Sequence, residues 1–334
     1  MNRRRFPCAA ALLLSLLAGT VGCASEPVPA TATTLRFEFH SAFLMNLHHF
    51  LVDAARHPGR IDQVQWTQPP TADELAALHA AVAFYASEFG DRDLLFDDGL
   101  RDIKHALARA DDNRRSALGL ELPPALAELL ERAAPGYARC LWPAQDRANR
   151  AWIARVERLE ARYGASIQPR LERIFEARFP PAIRDDVVVT TGTFTGAYTD
   201  APPPQTVLPG GWPSYDGQAA LEMIWHEAAH AGPADHLEET ISARAQALGR
   251  PVPENLWHAA QFEAVGTVVA DVLARDGAPG YVEYAEANGV YRRAWPRFQP
   301  LLKEDWRAWL DGKGNLLDAV DRMLARLPPT APAS

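Results

Sequence analysis

The sequence predicts an α+β fold, predominantly helical, with a small β-sheet beside one short helix in its second half. Three observations predict it. Apolar residues recur at spacings of three and four over most of the chain, between recognisable caps. The stretch Asp185-Asp186-Val187-Val188-Val189-Thr190-Thr191 is β-branched, and a second short run, Gln205-Thr206-Val207-Leu208, follows it. Leu35-Arg36-Phe37-Glu38-Phe39-His40 alternates apolar and polar, the pattern of a strand.

Taken in order, residues 1–24 read as a signal peptide. Arg3-Arg4-Arg5 is its charged region and Ala9 to Leu17 its apolar region, too short for a membrane span. Thr20-Val21-Gly22-Cys23 resembles a bacterial lipobox, whose Cys carries the lipid, although Thr20 replaces the usual aliphatic residue. The alternative is cleavage near Ala24 and a free periplasmic or secreted protein. Both place the protein outside the cytoplasm, anchored to a membrane by Cys23 or free. Residues 25–34, rich in Pro, Ala and Thr, form a linker.

Residues 35–182 read as a helical region. After the first strand, Ser41 caps a helix to about Arg56. Adjacent residues on a helix point about 100° apart, so His48 and His49 there cannot easily face one ion, and they read as packing or surface residues. Thr71 with Glu74 forms a capping box for a helix that runs to Phe89. Further helices cover about 93–109 and, opened by Pro123-Pro124, a stretch to about Ala134. A long one runs from about Ala144 to Tyr163, where Gly164 is expected to break it before another helix carrying Leu171, Ile174 and Phe175. Residues 183–328 carry the strands, Asp216 as the expected N-cap of the short helix, and helices near 237–248, 254–274 and 316–327. A sheet beside that helix either offers an edge to an extended peptide or simply covers a core.

The 334-residue chain has a formal net charge of −8. Three arginines and no acid lie in residues 1–22, so the remainder is more acidic still. No basic patch is left to neutralise phosphates, which excludes nucleic-acid binding. Cys8 and Cys23 belong to the N-terminal segment, leaving Cys140 with no partner for an internal disulfide.

The chemistry is concentrated in His226-Glu227-Ala228-Ala229-His230. Histidines four apart on a helix lie one turn above each other and reach one metal ion, while the Glu between them is offset toward a water on that ion. The alternative is an amphipathic helix that happens to carry two histidines. A catalytic zinc takes three protein ligands and keeps one position open, so a third ligand is required. His236 has the spacing of the longer HExxHxxGxxH pattern, but Pro233 stands where that pattern needs Gly. Glu263 lies on a later helix, on a face with Ala259, Ala260, Gly266 and Thr267. His258 lies on the same helix about 140° away, aligned with Phe262, Val265 and Val269, so both are not expected to bind one ion. Glu238 and Glu239 are weaker alternatives.

The HExxH helix resembles that of the zincin metallopeptidases. The distance from His230 to Glu263 is similar to the gluzincin branch, in which a Glu on a second helix is the third ligand. The stretch Leu256-Trp257-His258-Ala259 is similar instead to uncharacterised exported bacterial HExxH proteins in which that His is regular. The resemblance covers about 185–310. It implies Zn²⁺ held by His226, His230 and His258, with Glu263 as the alternative third ligand, and Glu227 as the catalytic base that activates a zinc-bound water. It implies a peptide or protein substrate and a hydrolase of the cell envelope. Tyr281, Tyr284 and Tyr291 are candidates to stabilise the oxyanion, though aromatic residues in so apolar a segment read first as core. Glu222 or Asp235 is expected to support the ligands. The competing expectation is a non-enzymatic envelope protein that keeps the zincin shape for binding or assembly.

Overall fold

A computed structural model describes residues 33–192 and 196–328. The signal peptide, the lipobox Cys23 and nearly all of the linker lie outside the described residues. The described chain is mostly helical with one four-stranded mixed sheet, as the α+β prediction has it.

The sheet has the order β1 (Arg36–His40), β2 (Ala182–Val188), β4 (Gln205–Pro209), β3 (Tyr198–Asp200). The first two pairings are parallel and the last is antiparallel. The sheet therefore straddles the division at 182/183: β1 comes from the helical region and completes the sheet of the other. Side chains alternate across it. Ile183, Val187 and Leu208 enter one core, and Val188, Tyr198 and Val207 enter a second on the opposite face. β3 is one edge strand and all three of its residues are buried; β1 is the other, with Arg36 exposed and the rest half-buried. Both faces of the sheet cover core.

The second core is built by α1 (Phe43–Arg56), α2 (Ala72–Phe89), α3 (Asp98–Ala108) and α4 (Pro124–Cys140). Helix α1 is buried from Phe43 to Ala54, which is why it is apolar on nearly every side. The capping box of α2 is present: Glu74 N–H donates to Thr71 Oγ1 at 3.2 Å, and Thr71 N–H donates to Glu74 Oε2 at 2.7 Å.

The first core lies between α5 (Trp142–Phe175), α6 (Gln218–Ala229), α7 (Pro233–Ala247) and α8 (Leu256–Arg275). Gly164 does not break α5. An interior Gly costs only about 1 kcal/mol relative to Ala, and the buried Trp152, Val156, Tyr163, Ile167 and Leu171 on this helix outweigh it. Gly164 also has a packing reason. A Cβ there would meet Glu160 Oε1 at 1.8 Å, and Glu160 crosses that space so that Oε2 accepts from Trp225 Nε1 at 2.9 Å. Trp225, fully buried on α6, packs edge-on against Phe37 of β1 and Phe179. Burying a ring of this size contributes about 4–6 kcal/mol and fixes α6 against both α5 and the sheet. No helix among the described residues is long and apolar enough to cross a membrane.

Candidate metal centre

Helix α6 begins one turn after the sheet. Asp216 is not its cap: Gly217, at φ 59°, holds the cap position, and Asp216 Oδ1 accepts from Gly217 N–H and from Arg155. The helix ends at Ala229, with His230 as its C-cap residue. Gly232 then turns the chain at φ 134°, and Pro233 opens α7 at once. That immediate restart explains why His236 stands apart from His226 and His230. It lands on the first turn of α7, outside the histidine cluster.

Helix α8 crosses α6 and brings His258 to the pair. Gln261 Nε2 donates to the His226 carbonyl at 2.8 Å, satisfying an acceptor that the tight last turn of α6 leaves free. His226 Nε2 lies 3.3 Å from His230 Nε2 and 3.3 Å from His258 Nε2. Zinc bound tetrahedrally at about 2.0–2.1 Å from each nitrogen requires ligand nitrogens about 3.3 Å apart. Among the described residues, His226, His230 and His258 are the one group of three or more such side chains whose ligand atoms converge in this way, and they could hold a metal. Burial drives all three imidazoles toward the neutral, metal-binding form. For His226 the neighbouring His230 and His258 add to the effect and take its pKa well below the usual value. His230 is lowered to about 3, with His258 contributing, and His258 is lowered to about 4.

Glu263 is spent elsewhere. It is buried, accepts from the Tyr291 hydroxyl at 3.0 Å, and is ion-paired with Lys303 at 2.9 Å. Glu263 therefore stands apart from the histidine cluster, and His258 takes the third place in it. The reason is the angular offset on α8: the face carrying His258 meets α6, and the face carrying Glu263 meets the segment with Tyr291 and Lys303. Glu222 does not support the histidines either. Its Oε2 accepts from Tyr281 Oη at 2.7 Å and from Tyr284 N–H at 3.0 Å, while His226 Nδ1 is buried without a partner. Asp235 is exposed at the start of α7. Packing orients the rings instead. Phe262 stacks on His226 with centroids 3.8 Å apart, and Trp257 and Trp295 flank His258 at 5.0 and 5.1 Å.

Glu227 is buried and turned toward the sheet, where Thr199 Oγ1 donates to its Oε2 at 2.8 Å. Burial raises its pKa to about 7, against the opposing effect of that hydrogen bond. The sequence marks Phe262 only as core packing in line with His258, and Gln261 carries no local signal. The one signal for Thr199 was its place in the strand-rich stretch just ahead of the motif. Tyr291 and Tyr281 are committed to Glu263 and Glu222, as core residues would be. No protein-family model, curated protein or solved structure matches the chain.

Proposed function

We propose that the protein is a zinc-dependent hydrolase of the bacterial cell envelope, acting on peptide bonds at a zincin-like centre. The observation that carries this reading is the convergence of three neutral imidazoles, at the nitrogen spacing of a tetrahedral ion, beside a buried carboxyl that is not a ligand. His226, His230 and His258 would hold the zinc. Zinc bound there supplies Lewis acidity to a substrate carbonyl and lowers the pKa of water toward about 7.

The protein's own groups do the rest. Glu227, poised near neutrality, takes a proton from the attacking water and returns it to the leaving amine. Thr199 keeps that carboxyl aimed. The half-buried Trp257 and Trp295 give the substrate an apolar wall beside His258. Arg3-Arg4-Arg5 and the apolar run behind it support the export reading, with Cys23 as the lipid attachment point or cleavage near Ala24 giving a free protein.

The test is hydrolysis of peptides or casein by zinc-loaded protein, compared with Glu227→Gln. Loss of a general base predicts a fall in rate of about 10²- to 10⁴-fold with zinc still bound. Equal inertness of both proteins with zinc bound would overturn the enzyme reading and favour a binding or assembly role.

A further inference from the structure

Three side chains lie in one row across the sheet, on the face toward α6. Asp185 is paired in register with Thr206, and Thr206 with Thr199. Thr199 and Thr206 are joined by their hydroxyls at 2.9 Å, and Thr199 donates to Glu227 at 2.8 Å. A threonine hydroxyl has one proton. The proton of Thr199 is committed to Glu227, so Thr206 must donate to Thr199. Thr206 then has only lone pairs to offer to Asp185.

Asp185 is 1 % exposed and neither of its oxygens is hydrogen-bonded in this conformation. Its neighbour Asp186 is equally buried but is held by Arg184 and by Gln205. Asp185 has no such cation. The charged groups around it are Asp186 on its own strand, Glu227 on α6 and Glu38 on β1, all acids, and Thr206 is the polar side chain beside its carboxyl. Ionised, it would be a buried, unpaired carboxylate among like charges. Neutral, it becomes the donor that Thr206 lacks.

We propose that Asp185 is a neutral carboxylic acid and the origin of a one-directional hydrogen-bond row, Asp185 to Thr206 to Thr199 to Glu227, that positions the catalytic carboxyl. Its catalytic consequence rests on the hydrolase reading above; the protonation of Asp185 does not. Asp185, Thr206 and Thr199 are positioning residues. None touches the three histidines through any hydrogen bond in the structure. Burial and the neighbouring acids also push the Asp185 carboxyl well above the usual carboxylate range, against a smaller opposing pull from Thr206.

The experiment is infrared difference spectroscopy of the full chain at neutral pH, wild type against Asp185→Asn, read at the carbonyl stretch of a protonated carboxyl. The expected result is one such band in wild type that Asp185→Asn removes. Thr206→Val keeps Asp185 in place and is expected to retain the band at higher frequency, because the acid has lost its acceptor. It also provides the test if Asp185→Asn does not fold. A neutral acid stabilises the fold less as pH rises above its unfolded-state value, so Asp185→Asn is expected to melt no lower than wild type at pH 7, with any gain vanishing toward pH 4. In zinc-loaded protein, Thr199→Val is expected to lower kcat about 10- to 100-fold at similar KM, with Thr199→Ser restoring most of it. Absence of the band in wild type and in Thr206→Val would overturn the proposal. So would a lower melting temperature for Asp185→Asn at pH 7 than at pH 4, each relative to wild type. If the wild type binds zinc but hydrolyses nothing, the hydrolase reading fails and the infrared result still decides the state of Asp185.

Discussion

Two helices of this protein bury a pair of histidines, and only one pair is arranged as metal ligands. On α1, His48 and His49 are adjacent, and their rings stand at 90° with centroids 5.1 Å apart. His48 Nδ1 meets the Tyr85 hydroxyl at 2.9 Å. His49 meets the Met45 carbonyl at 2.9 Å and the Tyr198 hydroxyl at 2.8 Å. On α6, His226 and His230 are one turn apart, and their Nε2 atoms face each other and His258 rather than a hydroxyl or carbonyl. Burial makes the histidines of both helices neutral. What separates a structural histidine from a ligand here is therefore not burial or charge. It is whether three ring nitrogens converge on one point: His48 Nε2 is also buried without a partner, but among the described residues it is His226, His230 and His258 whose ligand atoms come together.

The largest effect that sharpens this contrast outside the metal centre is expected at His49. His49→Phe leaves the buried Tyr198 hydroxyl without its partner and is expected to cost about 1–3 kcal/mol of stability, measured by denaturant unfolding, with zinc binding unchanged. The substitution also changes the acid limb. In the unfolded chain His49 takes a proton near pH 6.5, and in the fold only near pH 4. Its stabilising contribution is present above pH 6.5 and lost as pH falls toward 4. His49→Phe should flatten that part of the stability curve. An unchanged slope would mean that His49 is not held neutral by its surroundings.

A smaller effect of opposite sign is expected at Glu160, whose carboxyl burial raises to about 7 from an ordinary 4.5, against the pull of the Trp225 hydrogen bond. Its raised pKa means that the fold loses stability as pH rises from about 4.5 to about 7. Glu160→Gln keeps an acceptor for Trp225 and removes the titration. The variant should match wild type near pH 4.5 and exceed it at pH 8 by about 1–2 kcal/mol, after allowance for the partial exposure of the group. A variant less stable than wild type at pH 8 would show that Glu160 works as an ionised partner.

The division between what the sequence reveals and what it hides follows from the range of the interactions. His226, Glu227 and His230 are legible because one helical turn brings them together whatever surrounds them. The capping box at Thr71 and the strands β2 and β4, marked by the runs at 185–188 and 205–208, are legible for the same local reason, although β2 starts at Ala182 and ends at Val188. The third ligand depends on which face of α8 meets α6. Periodicity placed His258 on the core-facing side, but Lys303 and Tyr291, which claim Glu263, lie 40 and 28 residues further along the chain. The continuation of α5 through Gly164 was hidden because it depends on Glu160 reaching Trp225, 65 residues away. Thr199 was hidden because its role comes from sheet register, which no local pattern encodes.

The central claim is the three-histidine centre, and zinc stoichiometry of folded, full-length His258→Ala and Glu263→Ala tests it most directly. One zinc per chain is expected in the wild type and in Glu263→Ala, and none in His258→Ala with its helical circular dichroism retained. Zinc kept by His258→Ala, or lost from a folded Glu263→Ala, would contradict the account.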